Sequence, residues 1–273
     1  MNKKVKVMGI YFDPVTYKEA LDKVFFLMKD GKQHHIVTPN PEILLKAQGD
    51  EKYKKILNKA SLSIPDGTGI IWAASLEGSL NIFKGAWHMF LTVFASKRLP
   101  KVLPERVTGT DLMKGVLEKS IKDESDYKIF LLGAKDGVAE QIHENYRFKD
   151  KNCKIVGTYE GSPKVSEEVS ILKRINESKP DMLFVAYGSP EQEKWISRNL
   201  KKMPSVKVAM GVGGAFDFLA GRAKRAPKTW RNMGLEWLWR LLKEPRRLKR
   251  IWNAAVVFPY LVLVRRINIR FVK

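Results

Sequence analysis

Three short segments of this 273-residue chain set polar side chains beside the prolines and glycines that mark helix starts. Thr38-Pro39-Asn40 puts a hydroxyl next to an amide. Asp66 stands between Pro65 and Gly67, and Gly188-Ser189-Pro190-Glu191-Gln192-Glu193 places Gln192 in the first turn of a helix. A carboxylate within hydrogen-bond reach of a hydroxyl can take its proton. Each segment also has a plainer reading: Asn40 and Asp66 can serve only as N-caps, and Gln192 can simply face solvent. A fourth group is cationic, with Arg240 followed by Arg246, Arg247 and Arg250. Guanidinium forks meet phosphate oxygens in pairs, which ammonium groups do not. Their plainer reading is a solvated basic face or a membrane patch. Taken singly, none of these decides a function.

Other chemistries lack their residues. His34, His35, His88 and His143 have no metal-ligand spacing, and the lone Cys153 cannot build a thiolate zinc site. Neither a nucleophile-elbow Gly-x-Ser-x-Gly nor a phosphate-loop Gly-Lys-Ser/Thr occurs. The glycine turn at 211–214 continues into Ala215 and Phe216 and lacks the last glycine of a dinucleotide fingerprint. Asp-x-Asp is missing too, so arginine is expected to take a metal's place if a diphosphate leaves here.

Helix-like and strand-like stretches alternate along the chain. Residues 5–12 read as a strand, and Thr16 with Glu19 forms a capping box that opens a helix to about residue 29. A strand at 35–38 runs into Asn40-Pro41, an N-cap and first-turn pair. A strand at 61–64 enters Pro65-Asp66-Gly67, with a helix from 70. Strands at 127–132, 153–157, 182–187 and 206–210 alternate with helices at 136–148 and 166–178, and Ser189-Pro190 reads as another cap pair. Apolar runs such as Met182-Leu-Phe-Val-Ala-Tyr187 lack polar alternation and suit parallel strands covered on both faces. The fold class is α/β, a Rossmann-like parallel sheet with helices on both faces, whose strand carboxyl ends gather ligands.

Charge divides the chain. Of a net +21, the segment from Arg222 onward carries +13, with 15 Lys/Arg against two acids. We expect an α/β body at 1–221 and a basic, largely helical appendage at 222–273. A local polyanion is the partner that charge implies; nucleic acid, anionic lipid and a diphosphate all qualify. The basic density flanks the apolar stretch 251–264, which favours lipid, and no recognised nucleic-acid module is present. Two apolar runs, 82–95 and 251–264, fall short of the roughly 20 residues that span a bilayer and read as interfacial pieces. One cysteine and the lack of a leader-like apolar run before Asp13 suit a cytoplasmic protein. An exposed apolar surface also suggests a homo-oligomer.

As a set, these pieces resemble the bacterial teichoic-acid N-acetylmannosaminyltransferase family, the TagA–WecG–CpsF group. The resemblance rests on Thr38-Pro-Asn-Pro-Glu42, Pro65-Asp-Gly-Thr-Gly69, Glu105-Arg-Val-Thr-Gly-Thr-Asp111 and Leu131-Leu-Gly133. It continues through Gly188-Ser-Pro-Glu-Gln-Glu-Lys-Trp195, Gly211-Val-Gly-Gly-Ala-Phe-Asp-Phe218, Gly221, Arg225-Ala-Pro227, Gly234-Leu-Glu-Trp-Leu238 and Glu244-Pro-Arg246. It implies inverting transfer of N-acetylmannosamine from a UDP donor to N-acetylglucosamine on undecaprenyl diphosphate, without metal or other cofactor. It also implies an appendage that meets an anionic membrane surface. Asp66 matches the family's general base, and Thr38, Asn40, Arg106 and Gln192 match its pocket residues. Arg240, Arg247 and Arg250 match the arginines that reach the diphosphate. One departure is an apolar insert at about 79–104, where the family has only a few residues. Trp87, Phe90 and Phe94 beside Lys97 and Arg98 suggest a second membrane contact there. Another UDP-sugar, such as N-acetylmannosaminuronic acid or a capsular hexose, stays open as the donor.

Overall fold

A computed structural model of the chain describes residues 3–76, 102–122, 126–227, 229–230, 238–239, 242, 248–264 and 270–272. Most of the expected insert, and both Arg240 and Arg247, lie outside the described residues. The chain opens with β1 (Lys4–Val7) and β2 (Ile10–Phe12), then α1 (Tyr17–Lys29), β3 (His34–Val37), α2 (Pro41–Gln48), α3 (Glu51–Asn58), β4 (Leu62–Ser63) and α4 (Thr68–Ser75). After 102–108 come α5 (Gly109–Lys122), β5 (Ile129–Gly133), α6 (Val138–Lys149), β6 (Ile155–Tyr159) and α7 (Glu168–Ser178). The body ends with β7 (Met182–Ala186), α8 (Glu191–Asn199), β8 (Val208–Gly211) and α9 (Ala215–Leu219).

Six strands pair in the order β4-β3-β8-β7-β5-β6, every described pair parallel. Their apolar runs leave both faces needing cover. On one face α1, α5, α6 and α9 bury Val24, Leu112, Ile142 and Phe216; on the other α7 and α8 bury Ile171, Trp195 and Ile196. The helix starts follow local rules. Thr16 and Glu19 make the expected capping box, and the Asn40 Oδ1 accepts from the Ile43 N–H at 3.0 Å to cap α2. Ser189 does not repeat that role. Pro190 is the residue before α8, and the Ser189 hydroxyl donates instead to the Glu193 Oε1 at 2.8 Å.

Residues 5–12 do not form one strand. Met8 and Gly9 both take positive φ, 49° and 80°, and turn the chain into a β1–β2 hairpin. Lys4-Val5-Lys6-Val7 alternates half-buried and buried residues, the period-two pattern of an antiparallel strand covered on one side. The appendage supplies the third strand. Following α10 (Leu248–Trp252), a π-helical turn (Asn253–Val257) and α11 (Phe258–Val264), β9 (Arg270–Val272) pairs antiparallel with β1. The appendage is therefore part helix, as expected, and part strand. Phe258 is fully buried and Val262 nearly so, in one apolar cluster with the hairpin, α2, α3 and α4.

Candidate active site

At the carboxyl ends of β3, β4, β5, β7 and β8 lies a cleft of about 480 Å³. The chain leaves β5 toward β6 and leaves β7 in the opposite direction toward β8, so the loops diverge and open a crevice. Thr38, Asn40, Asp66, Gln192 and Arg250 all line it.

Asp66 is half-buried on one wall. Its N–H donates to the Pro39 carbonyl at 3.2 Å, and its Oδ2 accepts from the Gly109 N–H, the first residue of α5, at 3.3 Å. It does not cap the helix beside it, since the residue before α4 is Gly67, whose φ of 134° few side chains tolerate. Gly69 is required by crowding: an added Cβ would lie 2.9 Å from the Pro41 Cγ. Pro65 accepts from the Val107 N–H at 3.1 Å, so the 102–108 segment braces the same turn. Thr38 is 9% exposed, with Gly109 packed onto it. Because the Asn40 Oδ1 is committed to its cap, the Nδ2 donors are what it offers the cleft.

Gln192 belongs to the opposite wall and is 3% exposed, so it does not face solvent. Its Oε1 accepts from the N–H groups of Gly188 at 3.1 Å and Gly213 at 3.0 Å. Its Nε2 donates to the Ser189 hydroxyl at 3.3 Å and the Glu193 carboxyl at 2.7 Å. The amide is saturated. It ties the loop after β7 to the loop after β8.

The rim carries charge of both signs. Glu42 shares its carboxylate between Lys46 at 3.0 Å and Arg250 at 2.9 Å, and Lys46 also donates to the Ser189 carbonyl at 2.8 Å. An appendage cation is thus held at the cleft edge. Lys135, Asp136, Asp217 and Arg222 add further polar groups to the lining.

The Glycosyl transferase WecG/TagA/CpsF family model matches residues 5–82 and 90–271, nearly all of the chain, and its one break falls inside the expected insert. The chain belongs to the WecG/TagA/CpsF glycosyl transferase family. It is similar to the N-acetylglucosaminyldiphosphoundecaprenol N-acetyl-beta-D-mannosaminyltransferases of Staphylococcus aureus strains MRSA252, MW2 and COL. Each is 32% identical over 272 residues, covering 99% of this chain and 96% of the relative.

For a WecG/TagA/CpsF enzyme, the placement of the expected residues is uneven. Thr38, Asn40, Asp66, Gln192 and Arg250 converge, although the last is separated from the first by most of the chain. Arg106 is half-buried beside the Val107–Pro65 contact and is not among the cleft-lining residues. Sequence reasoning passed over Lys46, Lys135, Asp136, Asp217 and Arg222. Lys135, Asp136 and Asp217 follow strand carboxyl ends, the one signal that could have flagged them. Lys46 and Arg222 gave none, because their places depend on how a helix and a loop fold over the cleft.

Proposed function

We propose that this enzyme transfers N-acetylmannosamine to N-acetylglucosaminyldiphosphoundecaprenol, the reaction in its relatives' names, and that it does so with inversion, from a UDP donor, in teichoic-acid linkage-unit synthesis. The observation that carries this reading is the meeting of Asp66 with a rim of fixed cations in one cleft at the sheet's carboxyl edge. As the acceptor hydroxyl attacks the anomeric carbon, the bond from that carbon to the UDP oxygen breaks and the hydroxyl proton passes to Asp66. The sugar passes through a state with positive character that carboxylate charge favours. Negative charge gathers on the departing diphosphate, where preorganised cations stabilise it. Arg250, Lys46, Arg222 and Lys135 are the described cations that line the cleft, with Arg240 and Arg247 assigned the same role by resemblance. Thr38 and the Asn40 amide orient the reacting hydroxyls. Gln192 contributes by holding the turns around the donor.

The acceptor is a lipid, and the appendage has a face suited to one. Leu248, Trp252, Val256, Tyr260 and Val264 recur every fourth residue and are all exposed, while Arg250, Phe258 and Val262 turn toward the body. In an unbroken α-helix a spacing of four overshoots each turn by about 40° and would wind the stripe around the axis. The π-helical turn at 253–257 has wider turns and offsets that drift. The stripe carries two aromatic residues of the kind that settle at membrane interfaces, on a strongly basic segment. No helix among the described residues is long and apolar enough to cross a membrane, which fits peripheral attachment of the catalytic body.

The test is a panel of UDP-sugars offered with a short-chain lipid-diphosphate acceptor, reading UDP release. Release with UDP-N-acetylmannosamine, lost in Asp66→Asn, is the expected result; release with a uronic acid or hexose donor instead would move the protein to a related polysaccharide. Substituting Trp252 and Tyr260 together by Ser should reduce flotation with anionic vesicles.

A further inference from the structure

Behind the cleft wall, the Glu193 carboxyl is 2% exposed and takes no part in the chemistry above. Three donors converge on it from separate places. The Tyr53 hydroxyl of α3 reaches Oε2 at 3.1 Å, while the Ser189 hydroxyl at 2.8 Å and the Gln192 Nε2 at 2.7 Å share Oε1. Burial pushes the Glu193 carboxyl up from the usual carboxylate range, and the bonds from Gln192, Ser189 and Tyr53 oppose that shift. Holding a carboxyl in so dry a place is costly unless its partners are all in position.

The Glu193 Oε1 accepts from the Gln192 nitrogen and the Ser189 hydroxyl together, so it is the nitrogen end of the Gln192 amide that faces it. The carbonyl is then aimed at the Gly188 and Gly213 N–H groups. Were the amide turned over, its NH2 would meet the two glycine N–H donors, and the bonds to Gly188 and Gly213 and the one donated to Glu193 would all be lost. There is no slack for a compromise, since the Gln192 amide lies against Gly211, where an added Cβ would fall 2.6 Å from Nε2. The two glycines held this way take φ of 77° and 49°, and both line the cleft.

We propose that Glu193, supported by Tyr53, is a positioning residue for the donor end of the cleft: through the Gln192 amide it fixes the glycine turns that follow β7 and β8. The proposal rests on the nucleotide-sugar reading above and adds to it a residue outside the cleft that acts on donor affinity.

Glu193→Gln is nearly isosteric and is the deciding variant. It keeps one acceptor oxygen but puts an NH2 in place of the other, so the three donors from Tyr53, Ser189 and Gln192 can no longer all be accepted. We expect the Kd for UDP to rise about three- to tenfold, with donor KM rising in step and kcat moving less than about twofold, because only ground-state and transition-state binding together are weakened. Amide hydrogen exchange at Gly188 and Gly213 should quicken. In a Gln192→Leu background the same substitution should add nothing, since the amide it acts through is gone. A glutamate that merely supports the fold would lower the unfolding midpoint and leave both UDP affinity and the two amides as they were; that result in a folded Glu193→Gln protein overturns the proposal, as do multiplicative effects with Gln192→Leu. If Glu193→Gln fails to fold, Tyr53→Phe stands in, and unchanged exchange at both glycines overturns the proposal equally. A wild-type protein that binds no UDP removes the nucleotide reading, while exchange at the two glycines still decides the positioning.

Discussion

In the six-stranded sheet all described pairs are parallel, so the strands end on one side and five loops converge on a single cleft. The three-stranded sheet is antiparallel, sends its strand ends both ways and, among the described residues, gathers no comparable site. What it gathers is chain: β1 and β2 come from the amino-terminal residues and β9 from the far end of the appendage. Parallel geometry concentrates chemistry, and antiparallel geometry closes the chain around it. The two meet at the Asp66 turn. Gly69 is crowded by Pro41, which starts α2, and by the Phe258 ring, 3.5 Å from an added Cβ, which comes from the appendage.

The sharpest way to break this division is at Asp66. Asn keeps an acceptor for the Gly109 N–H but cannot take a proton, so kcat should fall by about 10²–10⁴ with folding and UDP binding preserved. A loss below tenfold would remove the chemistry from this strand end. Next is Phe258, which belongs to the closing element but is buried in the body. Phe258→Ala should cost about 3–5 kcal/mol in a denaturant titration and lower activity through the loosened Asp66 turn. A cost under about 1 kcal/mol, the range of surface changes, would mean that the appendage only rests on the body.

Acid should strain the parallel sheet specifically. His35 in β3 has its Nε2 sealed from solvent, and burial holds its pKa down at about 4. The ring stays neutral in the folded protein and takes a proton more readily once unfolded. Stability is therefore undiminished above about pH 6.5, falls as pH drops from there to about 4, and loses up to about 3 kcal/mol. His35→Leu should flatten that limb in pH-dependent unfolding; a limb of unchanged depth would assign acid sensitivity elsewhere. The smallest stability effect is expected at Arg250. Its ion pair with Glu42 is exposed and worth less than about 1 kcal/mol, yet Arg250→Ala should lower kcat/KM by about 10²-fold if it faces the leaving diphosphate. Equal activity in Arg250→Ala would leave the appendage as a structural closure alone.

Much of the fold could be read from local pattern. Continuous apolar runs announced strands buried on both faces, the Thr16–Glu19 and Asn40–Ile43 caps marked helix starts, and Pro and Gly located the loops that carry Thr38, Asn40, Asp66 and Gln192. The hairpin was missed, although Lys4-Val5-Lys6-Val7 carries period-two alternation, because Met8-Gly9 lacks the usual Asn-Gly or Asp-Gly turn signal. Gln192 was placed correctly along the chain, but its partners could not be read. Glu193 carries no local signal of its place, since nothing adjacent to it in sequence shows that it is buried.

By itself the sequence determined element types, helix starts and the loops where polar chemistry could sit, because those depend on neighbours within a few residues. Tertiary structure alone decided the partnerships. Tyr53 meets Glu193 across 140 residues, Arg250 meets Glu42 across 208, and the Gly109 N–H reaches Asp66 across 43. Such contacts depend on strand order and on how the chain ends close over the sheet, and no local periodicity encodes strand order. The physical reason is loop closure: a distant pair forms only after the core has already brought its two segments together.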